Sequence, residues 1–410
     1  MSLRRLAVLS VHSSPLAQPG AGDGGGMSVY VRALASALAR AGVECDVLVR
    51  REHADQPAAV EVEPGFRVVH LDAGPAAPVS KHDLIELVAP MVDATLDLVA
   101  SGARYDALHA NYWLSGAVGH RLKHELDLPL VATFHTLARV KADAGIDDDP
   151  ALRARIEHEI VACADLMLAS TGAERDQLEM LYSAPADRIE IVPPGVDHEI
   201  FHPVDARRRG EERRALGIGD APTLLFAGRI QPLKGADLAV QTLAEIPDPD
   251  AVLVIVGGPS GPDGGVELAR LHEMAAKLEL TDRVRFAPPQ SHAELARYYR
   301  AVDVCLVPSH SESFGLVALE AAACGTPVVA AAVGGLCSLV DDGVTGYLVD
   351  SRDPSDYAAP IAQLLADPER ARAMGLAAEA RSRRYAWSMT AARLRRLYTD
   401  LLAREPVSCR

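Results

Sequence analysis

Two cations, Arg229 and Lys234, stand in the run FAGRIQPLKG, and two carboxylates, Glu312 and Glu320, stand in HSESFGLVALEA. An arginine fork at a strand end and a lysine point charge at the start of the next helix suit a pyrophosphate. The carboxylates suit another task, because each can accept hydrogen bonds from a pair of neighbouring hydroxyls; a loop acid and a helix acid together can hold two diols. Between them Ser313, Phe314 and Gly315 put backbone N–H groups at a helix N-terminus, where donors lack intrahelical partners and the dipole favours an anion. Sugar, phosphate and ribose would then lie in line. Each part alone has a plainer reading, since loop arginines and lysines are commonly solvated and acids are common in first helical turns.

A glycine run, GAGDGG at Gly20 to Gly25, has the form G-x-G-x-x-G. A dinucleotide site needs its first glycine at a strand end, yet SSPLAQP, with Pro15 and Pro19, follows Val11. The second strand also ends in Arg50 and Arg51, where such a site needs an acid. What remains is a cluster, Gly24, Gly25 and Gly26, opening a helix near Met27, whose bare N–H groups can approach an anion or a polyol. The alternative is a loop that needs glycine for positive φ.

The elements that must carry these residues alternate. LAVLSVH, then MSVYVRALASALARAG with Val31, Leu34, Ala35 and Leu38 on one face, then CDVLVR, reads as strand, helix and strand. FRVVHL, YDALHA, LPLVATFH, ADLMLAS and RIEIVP continue it, and their near-continuous apolar character suits a parallel sheet with both faces covered. After VPPGVDHEIFHP the pattern restarts with TLLFAGR, AVLVIVGG, RVRFAPP, VCLVPS, TPVVAA and GYLVD. Pro193, Pro194, Gly195 and Pro203 mark a linker. Two doubly wound α/β domains are therefore expected, 1–195 and 196–386, with a final helix in 387–410 packing back on the first and ligands held in the cleft between them.

At 410 residues with 49% hydrophobic content, the chain can fill more than one core. A formal charge of -15 gives nucleic acid or an anionic membrane no general attraction, so any anionic ligand must meet a local set of cations. Cys45, Cys163, Cys305, Cys324, Cys337 and Cys409 are scattered without zinc-site spacing and read as buried, reduced thiols. The apolar run of MSLRRLAVLSVH is too short for a signal peptide, and no stretch is long enough to span a bilayer; a soluble cytoplasmic protein is expected.

Glu312 and Glu320 within SESFGLVALEAAACGTPVVA, together with AGRIQPLKG and GGPSGP, resemble glycosyltransferase family 4, the retaining enzymes of GT-B fold. That resemblance implies two Rossmann-like domains facing across a cleft. Within the family, HSSPLAQPGAGDGGGMSVYV, SKHDL, NYWLSG, FHTLARVK and VPPGVD are similar to the branch that moves N-acetylglucosamine from UDP-N-acetylglucosamine to inositol 3-phosphate in mycothiol biosynthesis. The resemblance covers essentially the whole chain. It implies that Arg229 and Lys234 hold the donor diphosphate, Glu320 the ribose and Glu312 the sugar ring, with Gly25, Gly26, Gln290, Ser313, Phe314 and Gly315 completing the donor set and His135 beside the reacting carbon. It assigns the acceptor's phosphate to Lys81, Tyr112, Thr136 and Arg153, and its ring to Ser28.

Three positions depart from that branch: Ser28 replaces an asparagine, Ala110 a hydroxyl-bearing residue, and Gln290 an arginine. Hexosyl transfer from a nucleotide sugar to another sugar phosphate, or to an unphosphorylated cyclitol, therefore stays open. The implied enzyme needs no cofactor or catalytic metal, its partners are small molecules, and a homodimer is compatible with it. A nucleotide-binding oxidoreductase built on GAGDGG and a non-catalytic sugar-binding relative are the competing classes.

Overall fold

A computed structural model describes residues 3–20, 24–77, 79, 83–143, 150–261 and 264–409. The chain divides into two compact units, one of residues 1–17, 26–193 and 387–410, the other of 18–25 and 194–386. Gln18–Gly25 thus packs with the second unit, where Gly258 N–H donates to the Gly20 carbonyl at 3.0 Å. Among the described residues no helix is long and apolar enough to cross a membrane.

The first unit holds β1 (Arg5–Leu9), β2 (Glu44–Arg50), β3 (Ala59–Glu63), β4 (Phe66–Leu71), β5 (Ala107–Asn111), β6 (Leu130–Thr133), β7 (Leu166–Ala169) and β8 (Ile189–Ile191) in the order β3-β4-β2-β1-β5-β6-β7-β8. All neighbours are parallel except β3, which pairs antiparallel with β4. Alternation along β1 divides the core. Leu6 and Val8 meet Val31, Leu34 and Leu38 of the helix Gly26–Arg40, and Leu394 and Tyr398 of the C-terminal helix Trp387–Leu401. Ala7 and Leu9 face Met91, Val118 and Leu122 on the other side. β3 was not anticipated, because its AVEVE carries charge at alternate positions and lies on a half-exposed edge.

The second unit holds β9 (Thr223–Ala227), β10 (Val252–Val256), β11 (Val284–Ala287), β12 (Val304–Val307), β13 (Val328–Ala331) and β14 (Gly346–Val349), all parallel, in the order β11-β10-β9-β12-β13-β14. Counted from β9 this is the 3-2-1-4-5-6 order of a doubly wound sheet. The order reverses between β9 and β12, and at such a point the loops leaving the two strands diverge to opposite faces and open a crevice. In the first unit the equivalent reversal lies between β1 and β5.

The cysteines correct the expectation of six buried thiols. Cys45, Cys305 and Cys324 are buried and free, but Cys337 is exposed, and the sulfur of Cys409 meets that of buried Cys163, 246 residues away. The C-terminal segment brings the pair together by returning to the first unit, which no local spacing in the sequence records.

Candidate functional site

Of the expected donor residues, Arg229, Lys234 and Glu312 gather at the β9/β12 reversal, while Gln290 follows the edge strand β11. Arg229 follows β9, and a short turn, Pro232–Lys234, carries Lys234 to the helix Ala236–Glu245. Glu312 leaves β12 on the facing loop, and Lys234 Nζ lies 2.6 Å from its Oε2. Both side chains are partly exposed, at 24% and 18%, so the pair is open to a ligand at one edge. Ser260 ties the other cation in place, accepting from Gln231 Nε2 at 2.9 Å and from Arg229 Nη1 at 3.4 Å. Gly25 belongs to this unit, and a Cβ there would lie 3.0 Å from the Arg229 guanidinium carbon. Gly26 instead begins the helix Gly26–Arg40 in the first unit.

Ser313, Phe314 and Gly315 precede the helix Leu316–Ala323, and Gly315, at φ 104°, forms its N-cap. The loop is pinned from behind, where Gly335 N–H donates to the Glu312 carbonyl at 2.8 Å. Glu320 sits one turn further in, 7% exposed, accepting from the Tyr299 hydroxyl at 2.9 Å. Burial outweighs that hydrogen bond and pushes the Glu320 carboxyl up to about 7. Tyr299, which nothing in HAELARYYRAV singled out, is therefore a partner of the site. Gln290 turns its amide to the Pro288 carbonyl at 2.9 Å, and its own carbonyl accepts from Gln18 Nε2.

In the first unit, the expected acceptor residues cluster beyond β5 and β6. Arg153 Nη2 donates to the Thr136 carbonyl at 2.6 Å and to its hydroxyl at 3.0 Å, while the guanidinium carbon lies 4.9 Å from the centre of the Tyr112 ring. Arg153 Nε meets Glu157, itself buried, at 2.8 Å. Three of the four phosphate residues are thus together; Lys81 lies outside the described residues. Ser28 is buried, with its hydroxyl 2.5 Å from that of Ser13. The sequence predicted Ser28 as an acceptor contact, and the structure gives its hydroxyl a partner inside the protein.

His135 Nε2 donates to Asn111 Oδ1 at 2.9 Å, and Tyr30 packs edge-on to the ring at 4.8 Å. Burial, with His109 and His12 nearby, pushes the imidazole down to about 3, so it works as a neutral donor. Asn111, the buried polar end of β5, was missed by sequence reasoning; its signal is a polar side chain closing an apolar strand just before Tyr112. Among the described residues, five that are not glycine have positive φ. Asp127, Ser183 and Glu279 do so just past helix ends, whereas Tyr112 (φ 76°) and His135 (φ 61°) follow β5 and β6 directly. Backbone strain of that kind collects at functional sites.

Comparison with known proteins identifies the family and the fold. The family "Glycosyl transferases group 1" matches residues 208–381, and the "Glycosyl transferase 4-like domain" matches residues 25–195. The chain is 45% identical to a D-inositol 3-phosphate glycosyltransferase of Thermobispora bispora, covering 98% of this chain and 96% of that one. To the protein of the same name in Kineococcus radiotolerans it is 47% identical, over 95% and 94%. Among solved structures, a sucrose-phosphate synthase from Thermosynechococcus elongatus superposes with a TM-score of 0.90 at 35% identity, covering 98% of this chain and 99% of that chain. An Anabaena protein solved with UDP-glucose shares the fold, with a TM-score of 0.79 at 21% identity over 97% and 99%.

Proposed function

The chain belongs to the family-4 glycosyltransferases of GT-B fold, and from that premise we propose that it moves N-acetylglucosamine from UDP-N-acetylglucosamine, with retention, to 1D-myo-inositol 3-phosphate, the first step of mycothiol biosynthesis. The observation that carries this reading is the cluster of Tyr112, Thr136 and Arg153, a cation and two hydroxyls from a helix start, a loop and a second helix, in a chain similar over its whole length to inositol-phosphate glycosyltransferases. A phosphomonoester dianion in a protein of charge -15 needs such a local set. On the donor side, breaking the bond from the anomeric carbon to the diphosphate builds charge on the leaving oxygen. Arg229, Lys234 and the N–H groups ahead of Leu316 stabilise it, at a typical value of about 3 kcal/mol per donor. The acceptor oxygen forms the new bond, its proton passes to the leaving phosphate, and no catalytic metal takes part. The enzyme acts in the cytoplasm.

The test is product mass spectrometry across a small matrix of nucleotide sugars and phosphorylated cyclitols, with the anomeric configuration read by NMR. UDP release from the proposed pair, giving an α-linked product, is expected. No release from that pair while another reacts would overturn the substrate assignment. The Ser28–Ser13 contact and the likeness to a sucrose-phosphate synthase favour one second reading, hexosyl transfer to another sugar phosphate or to an unphosphorylated cyclitol. Thr136→Val separates the phosphate from the ring: if acceptor KM stays unchanged, the acceptor is not held by phosphate at this cluster.

A further inference from the structure

The helix Tyr112–Leu126 carries His120 and His124 one turn apart, so both rings lie on one face, as in helical metal sites that take two histidines at this spacing. Cys163 ends the helix Pro150–Cys163, and Cys409 comes from the tail beyond the C-terminal helix. The four ligand atoms all lie within 4.8 Å of one another. His124 Nε2 is 3.2 Å from Cys409 Sγ and 3.4 Å from Cys163 Sγ, and His120 Nε2 is 4.0 Å from Cys409 Sγ.

We propose that His120, His124, Cys163 and Cys409 form a structural zinc site that fastens the C-terminal tail to the first unit. Zn–N near 2.0 Å and Zn–S near 2.3 Å in a tetrahedron put nitrogen and sulfur about 3.6 Å apart, the value that the three observed separations bracket. Two thiolates and two neutral imidazoles cancel the dication, so a half-buried site carries no net charge; binding releases the two thiol protons. A Cys163–Cys409 disulfide would use the same sulfurs but gives no role to two imidazoles turned on them. The surroundings already hold the tail in register: Asp165 accepts from the Val407 N–H and, at 2.7 Å, from Lys123 Nζ, which also donates to the Cys163 carbonyl at 2.8 Å. Along the helix, His120 and His124 lie about 12 to 18 Å from Tyr112, so the ion is structural and stands apart from the acceptor residues.

The test uses the full chain, expressed with zinc and purified without chelator. Elemental analysis should give about one zinc per chain, falling to near zero in His124→Ala and in Cys409→Ser. Cobalt exchanged into the unmodified chain should show thiolate charge-transfer absorption and a tetrahedral visible spectrum. Zinc-free protein whose intact mass shows Cys163 and Cys409 oxidised to a disulfide would overturn the proposal, as would zinc retained by both variants.

Discussion

At the residue scale, two pairings in the second unit, Lys234 with Glu312 and Tyr299 with Glu320, make opposite demands. Lys234 and Glu312 are partly exposed, so their ion pair contributes less than about 1 kcal/mol to the fold. Lysine has three donors and can hold Glu312 and a phosphate oxygen together. Lys234→Ala should therefore lower kcat about 100-fold, the equivalent of about 3 kcal/mol, while leaving the unfolding midpoint nearly unmoved. A large loss of stability with intact turnover would place the lysine in the scaffold. Glu320 is the reverse case, buried against Tyr299 with its carboxyl raised to about 7. From its ordinary value of 4.5 up to about 7, the folded chain holds a proton that the unfolded chain has lost, so stability from this group is present at low pH and falls as pH rises through that window. Glu320→Gln has no such proton to lose. Its stability relative to the parent should improve by at most roughly 3 kcal/mol between about pH 5 and about pH 8, read by urea unfolding at both. Its KM for the nucleotide sugar should rise, since an amide accepts less strongly from ribose hydroxyls. An equal stability difference at both pH values would mean that Glu320 is ionised in the folded chain.

At the element scale, the crevice in the second unit depends on how closely β9's outgoing turn approaches β12. Gly235, at φ 71°, closes that turn, and a Cβ there would run into the Pro308 carbonyl, a backbone atom that cannot swing away. Gly235→Ala should displace the Arg229–Lys234 loop and weaken UDP binding at least about tenfold, on top of a left-handed strain of about 1–2 kcal/mol. Gly210→Ala is the control, because its Cβ would meet only Arg214 Nη1 at 3.7 Å in a solvent-facing helix, and it should stabilise by roughly 0.5–1 kcal/mol. Calorimetric titration with UDP reads both; equal affinities would show that the turn does not position the cations. The strands of both sheets were legible because buried parallel strands read as apolar runs, as in VLVIV of β10. β3 was not, because an edge strand need not be apolar. Arg229, Lys234 and Glu312 were legible because strand-loop-helix units fix where loop residues fall. Asn111 and Tyr299 were not, because their roles come from contacts with His135 and Glu320, across 24 and 21 residues of sequence.

At the scale of the whole molecule, each unit carries its own reversal of strand order and its own set of polar residues. The charge of -15 rules out attraction of anionic substrates by the surface as a whole, so each anion must be caught by its own cations. Each ligand should then stabilise most strongly the unit that holds those cations, by about 2.7 kcal/mol at one hundred times its Kd. Hydrogen exchange can read this ligand by ligand. UDP alone should slow exchange most in the turn after β9 and around Leu316–Ala323, where Arg229, Lys234 and the helix N-terminus lie. Inositol 3-phosphate alone should slow it most around His135, Thr136 and the start of Tyr112–Leu126, where Arg153 lies across the Tyr112 ring. If inositol 3-phosphate instead gave its strongest protection after β9, the phosphate would be held by Arg229 and Lys234, and the assignment of Tyr112, Thr136 and Arg153 to the acceptor would fall while the donor cluster's affinity for phosphate stood.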